Sequence, residues 1–126
     1  MSDHSSLPDK DDDLATRRDD LFDDANGDLA LGDLAAAVEK YRGCVEIDPD
    51  FFDGWHALGM ALMKVGQLRE AIGAGLQATT LKPNDLLAWT SLSQMYVQDG
   101  QIGAAEDAKA NARILSLGGR IVKEES

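Results

Sequence analysis

Apolar residues fall along most of this chain in stripes at helical spacing, divided at regular intervals by glycine. The clearest stretch runs from Phe52 to Pro83, FDGWHALGMALMKVGQLREAIGAGLQATTLKP. Trp55, Leu58, Gly59 and Leu62 stand at i, i+3, i+4 and i+7 and so share one face of a helix. Gly66 supplies a residue able to turn left-handed after that helix. Leu68, Ala71, Ile72, Gly75 and Leu76 form a second stripe, whose next place in strict phase is the polar Thr79; the stripe finishes instead with Ala78 and Leu81. Pro83 cannot continue the second helix. The pattern predicts helix, tight turn, helix.

This unit has a copy on each side. Gly32, Gly66 and Gly100 are 34 residues apart, as are Ala37, Ala71 and Ala105, and Leu34, Leu68 and Ile102. Trp55 recurs as Trp89, Leu58 as Leu92 and Pro49 as Pro83. A fixed period of this length marks stacked repeats. Six helices follow: one beginning near Thr16 to Asp19, one over 33–46, and four near 51–64, 67–80, 85–98 and 101–115. Most links are two to four residues, so neighbours pack antiparallel. Gly59, Ala71 and Ala78 let two helices approach closely, with Trp55, Leu58 and Leu62 filling the space around them.

The period and its signature residues resemble the tetratricopeptide repeat, with its W-x2-L-G-x2-Y, Ala, aromatic, Ala, Pro pattern. The central copy gives Trp55, Leu58, Gly59, Leu62, Ala71, Gly75, Ala78 and Pro83, and the third Trp89, Leu92, Ser93, Tyr96, Ala105, Lys109, Ala112 and Leu117. The first is partial, with Leu21, Asp24, Ala25, Asp28, Ala37, Tyr41, Cys44 and Pro49. The resemblance implies an all-α, right-handed α-solenoid of three antiparallel helix-turn-helix units. The domain is expected over 16–117, with repeats near 18–51, 52–85 and 86–117. A disordered acidic tail is expected over 1–15 and a short tail over 118–126.

Composition bounds what such a domain does. Its 126 residues are 44% hydrophobic, enough for one core. No apolar run approaches a membrane span, and a single cysteine suits a reducing compartment, so a cytoplasmic protein is expected. The net charge of −11 is uneven: ten Asp against three Lys or Arg give −7 over residues 1–28, leaving −4 for the rest. That balance disfavours nucleic acid and anionic membrane as partners. In the first repeat Asp24 and Asp28 replace apolar residues, and Asn26-Gly27 lowers helix propensity, as suits a terminal repeat with a wet outer face.

The resemblance implies a binding groove on the first helix of each repeat. Carried over by position, its residues are Phe22, Asn26, Leu29 and Ala30; then Asp53, His56, Met60, Met63 and Lys64; then Leu87, Thr90, Gln94, Val97 and Gln98. Methionines adapt to varied partners, and Asn26 and Gln94 offer pairing to a ligand backbone. A peptide or a partner helix fits this mixture better than a small polar metabolite. One subclass of the family grips a C-terminal carboxylate with two Lys, an Arg and two Asn. Only Asn26 remains of that set; the other places hold Phe22, Ala57, Leu87 and Ser91, so recognition of chaperone tails by that clamp is not expected. The expected function is an adaptor that binds protein or peptide, as a monomer. The alternative is a structural subunit that docks or self-associates through its convex face or its C-terminal end, where Ile114, Leu117, Ile121 and Val122 make an apolar patch.

Catalytic signals are thin. Cys44 holds the small-residue place also taken by Ala78 and Ala112, which makes it a core side chain. His56 is a groove residue, and His4 lies in the tail. Asp24-x-Asn26-x-Asp28 lacks the glycine and the glutamate that a calcium loop needs. No cysteine pair, zinc-protease helix or phosphate loop appears. An enzyme, a cofactor and a bound metal are therefore not expected.

Overall fold

The structure, a computed structural model, describes residues 10–122. Six helices follow one another: α1 (Lys10–Ala30), α2 (Leu34–Ile47), α3 (Phe52–Lys64), α4 (Leu68–Leu81), α5 (Leu86–Gln98) and α6 (Ile102–Ser116). They form two compact units that part between Phe51 and Phe52.

Each tight turn has the same chemistry. Gly32, Gly66 and Gly100 have φ of 83°, 83° and 77°, a region that side chains with a Cβ rarely enter. The residue after each glycine donates its N–H five residues back, Asp33 to Asp28 O, Gln67 to Leu62 O and Gln101 to Tyr96 O. These bonds close the last turn of each helix and satisfy carbonyls that would otherwise lack partners. Asp33 and Asp85 then cap α2 and α5 through bonds from Ala36 N and Ala88 N, each worth about 1 kcal/mol.

In the first unit α1 packs on α2. Ala25, Ala37, Val38, Tyr41, Cys44 and Val45 are buried. Gly43 makes room for Leu21, whose Cδ2 lies 2.6 Å from where a Cβ on Gly43 would stand. The helix α1 begins at Lys10, earlier than the Thr16–Asp19 start expected from the sequence. Of the expected tail, Lys10–Ala15 are thus helical, and residues 1–9 lie outside the described residues. The half-buried Leu14 and Ala15 fall one turn before Arg18, which continues the same face. Arg18 contacts Asp48 at 2.7 Å and Asp19 at 2.7 Å, and lies 4.5 Å above the Phe51 ring. Helix α1 also runs through Asn26-Gly27 unbroken, and Asp28 pairs with Lys40 of α2 at 2.7 Å.

In the second unit α3 packs on α4 and α5 on α6, and α5 also packs on α4. Leu58, Leu62, Ile72, Leu92 and Met95 fill its core among alanines. Burying each such large side chain stabilises the fold by roughly 1.5–3 kcal/mol. The α4 stripe differs from expectation at its end. Thr79 is buried and Leu76 is 44% exposed. Thr79 keeps the strict helical phase after Gly75, and its hydroxyl donates to Leu76 O at 3.0 Å, so the polar group enters the core with a partner.

After α6, Gly118 turns with φ 91°. The side chain of Asn84 then accepts from the N–H groups of Ile121 and Val122 and donates to Val122 O at 2.9 Å. Residues 120–122 are not helical, and residues 123–126 of the expected short tail lie outside the described residues.

Candidate protein-binding surface

The sequence-selected residues divide between the two units. On α1, Phe22 is half-buried, and its ring packs against Tyr41 at 5.6 Å and edge-on against Phe51 at 5.2 Å. Asn26 is exposed at the surface, but its Oδ1 accepts a 2.5 Å bond from the hydroxyl of Tyr41. Leu29 is half-buried. Phe22 and Asn26 are therefore engaged inside the first hairpin.

On α3, Asp53 and Lys64 are exposed, and His56, Met60 and Met63 are half-buried. His56 stacks on Phe52, centroids 5.8 Å apart and rings 7° from parallel, and its Nε2 lies 3.2 Å from Ser91 Oγ of α5. Lys82 also lies over the Phe52 ring, its Nζ 4.6 Å from the ring centre. On α5, Leu87 is 65% and Val97 54% exposed, Gln94 is exposed, and Thr90 is half-buried with its hydroxyl donating to Leu86 O. Thus Thr90 offers a ligand its methyl group more readily than its hydroxyl proton.

The structure also gathers residues that position alone did not single out. Ser91 is buried and fixes α3 to α5 through His56. Thr90, Gln94, Val97 and Gln98 line a cavity of about 410 Å³ together with Ser93 of α5 and Ala105, Glu106, Lys109 and Ala112 of α6. Asp53, His56, Met60, Met63, Lys64 and Leu87 do not line that cavity. The 34-residue register held the signal, because Ser93, Ala105, Lys109 and Ala112 repeat the places of Gly59, Ala71, Gly75 and Ala78.

The surface has little reactive character. Cys44 is fully buried, its thiol faces Arg18 O at 3.6 Å, and burial pushes its pKa up to about 11, which keeps it protonated and unreactive. Burial likewise raises Tyr41. Asp28 holds the Lys40 ammonium above its usual range, and Asp19 and Asp48 do the same for Arg18. Among the described residues no three His, Cys, Asp or Glu side chains converge as a metal site, and no helix is long and apolar enough to cross a membrane.

A family model, the tetratricopeptide repeat, matches residues 40–73. Protein CTR9 homolog of Arabidopsis thaliana is 33% identical over 98 residues, which is 77% of this chain and 9% of that protein. Among solved structures, MamA superposes with a TM-score of 0.77 at 18% identity, covering 81% of this chain and 60% of that one. The second tetratricopeptide domain of Spaghetti (RPAP3), bound to the HSP90 peptide SRMEEVD, superposes with a TM-score of 0.74 at 20% identity over 79% of this chain and 92% of that one. The chain spans under a tenth of the Arabidopsis relative and about three fifths of the MamA chain. The fold is the all-α helix-turn-helix repeat of the tetratricopeptide class. This chain is a tetratricopeptide repeat protein, with six helices in three pairs among its described residues.

Proposed function

We propose that this chain is a protein-interaction adaptor, not an enzyme, that seats an extended peptide or a partner helix against α3 and α5. The observation that carries this reading is the His56–Ser91 contact, which fixes α3 and α5 side by side while Met60, Met63, Leu87 and Val97 stay partly or largely exposed. A rigid platform with adaptable apolar side chains lowers the ordering cost of binding. The Spaghetti domain, with its bound HSP90 peptide, supports a peptide as ligand. The chemistry here differs from a carboxylate clamp. Phe22, Ala57, Leu87 and Ser91 carry no charge, so the ligand is held by apolar and backbone contacts. The proposal includes a cytoplasmic location.

Affinity capture from native extract tests the reading, with wild type beside Met60→Glu/Met63→Glu and both matched for helicity by circular dichroism. A partner retained by wild type and lost from the double variant supports it. The same partners on both baits would sink it.

A second reading has its own observation. Leu117 is 79% exposed, and Ile114 and Val122 remain about half exposed although Asn84 holds the segment's backbone. A structural subunit using this end would associate with rising concentration and lose that association on Ile121→Asp or Val122→Asp. Sedimentation velocity separates the two readings.

A further inference from the structure

Helix α3 carries an exposed charge at each end of the face it gives to the platform. Asp53 and Lys64 stand eleven residues apart, about three helical turns, so they share one side of α3 with the half-buried Met60 between them. Roughly 16 Å of helix separates the two. Neither makes an ion pair with a described residue.

The charges that flank the two helices are engaged. Asp85 accepts from Ala88 N, Asp99 accepts from Arg69 and Gln101, and Lys82 lies over the Phe52 ring. Glu106 and Lys109 belong to α6 and line the cavity there. His56 is held between Phe52 and Ser91. An acid in the first turn and a base in the last also suit the dipole of α3. Helix α5 forms without them: in the 34-residue register Leu87 stands for Asp53 and Gln98 for Lys64. It presents instead Gln94 and Gln98, one turn apart, exposed, and without a hydrogen bond to a described residue. Such amides pair with the free backbone groups of an extended chain, groups that a helix has already used.

We propose that the ligand of the α3–α5 platform is an extended peptide with a basic residue against Asp53 and an acidic residue, about five places away, against Lys64. This pattern rests on α3 and α5 being the binding face, and adds the charges of the ligand and its direction along α3. About five residues of extended chain cover the distance between the two side chains. Contacts with Met60, Met63 and Leu87 hold the peptide. Exposed ion pairs add little affinity each, and here they select which way round the peptide lies. Reversed, it would bring like charges together at both ends.

The probe is a phage-displayed library of linear twelve-residue peptides, selected on the full chain. Wild type should enrich peptides with one basic and one acidic residue four to six places apart. The best of them, synthesised with a fluorophore, should bind about fivefold more tightly than the same peptide with its two charges exchanged. Asp53→Lys/Lys64→Glu keeps the net charge of the protein and should reverse that preference. Circular dichroism confirms that the variants are folded. Peptides that bind wild type without a charge preference, or with one that the double variant does not reverse, overturn the proposal. If Met60→Glu/Met63→Glu abolishes their binding, the platform itself still stands. Charges enriched eleven places apart would mean a helical ligand and overturn the extended one. No enriched peptide, or binding that Met60→Glu/Met63→Glu leaves intact, removes the platform and this ligand together.

Discussion

Met95 of α5 reaches across to Gly59 of α3, its methyl 2.9 Å from where a Cβ would stand. Among the described residues, this contact joins the first helix of one pair to the first helix of the next. It explains why a small residue is required in the middle of α3, where glycine otherwise weakens a helix.

The glycines should therefore respond unequally to substitution. Gly59→Ala gains helix propensity but displaces the flexible end of Met95, and its net effect on stability should be within about 1 kcal/mol of zero. Gly59→Leu should cost at least ~2 kcal/mol through overpacking. Gly73, inside α4 with nothing within 4 Å of its would-be Cβ, should give a gain of about 0.5–1 kcal/mol on change to Ala. Urea unfolding of the three variants checks the order. A stabilised Gly59→Leu would contradict the seating of Met95.

Cys44 sets a pH dependence. Its folded pKa of about 11 lies above the ordinary thiol value of 9.0. From about pH 9 to 11 the unfolded chain releases this proton while the folded chain keeps it. The unfolded state then binds fewer protons, so stability falls as pH rises through that window, by roughly 1 kcal/mol per unit at most. Below pH 9 the contribution is fully present. Unfolding curves at pH 8 and pH 10.5 should differ less for Cys44→Ala than for wild type, and the native thiol should resist a disulfide reagent at pH 8. Rapid labelling without unfolding would contradict the burial.

Asn84 clamps an extended backbone with three hydrogen bonds, a pairing that Ala cannot make. Asn84→Ala should speed amide exchange at Ile121 and Val122 by about tenfold or more, with a global loss of about 1 kcal/mol or less, since the segment is exposed. Asn84→Asp keeps the two acceptor bonds and loses the donor, and should fall between. Unchanged exchange in Asn84→Ala would place the restraint elsewhere.

The sequence by itself determined the helices and their pairing. Period, turn glycines and apolar phase are local properties: Gly32, Gly66 and Gly100 take their left-handed turns because only glycine does so without a Cβ clash. It also singled out Cys44 as core, since helical phase fixes which face a residue occupies. Tertiary structure alone decided the rest. The start of α1 at Lys10 lies in an Asp-rich stretch whose composition favours disorder, and it precedes a face on which Arg18 reaches Asp48 and Phe51, thirty and more residues away. Asn26 looked available to a ligand until Tyr41 proved to hold it. Thr79 entered the core because a hydroxyl bonded to its own helix costs little to bury, while Leu76 remained partly outside. The cavity that Ser93, Ala105 and Lys109 line follows the 34-residue register, yet its volume depends on how α5 and α6 approach each other, which no local pattern encodes.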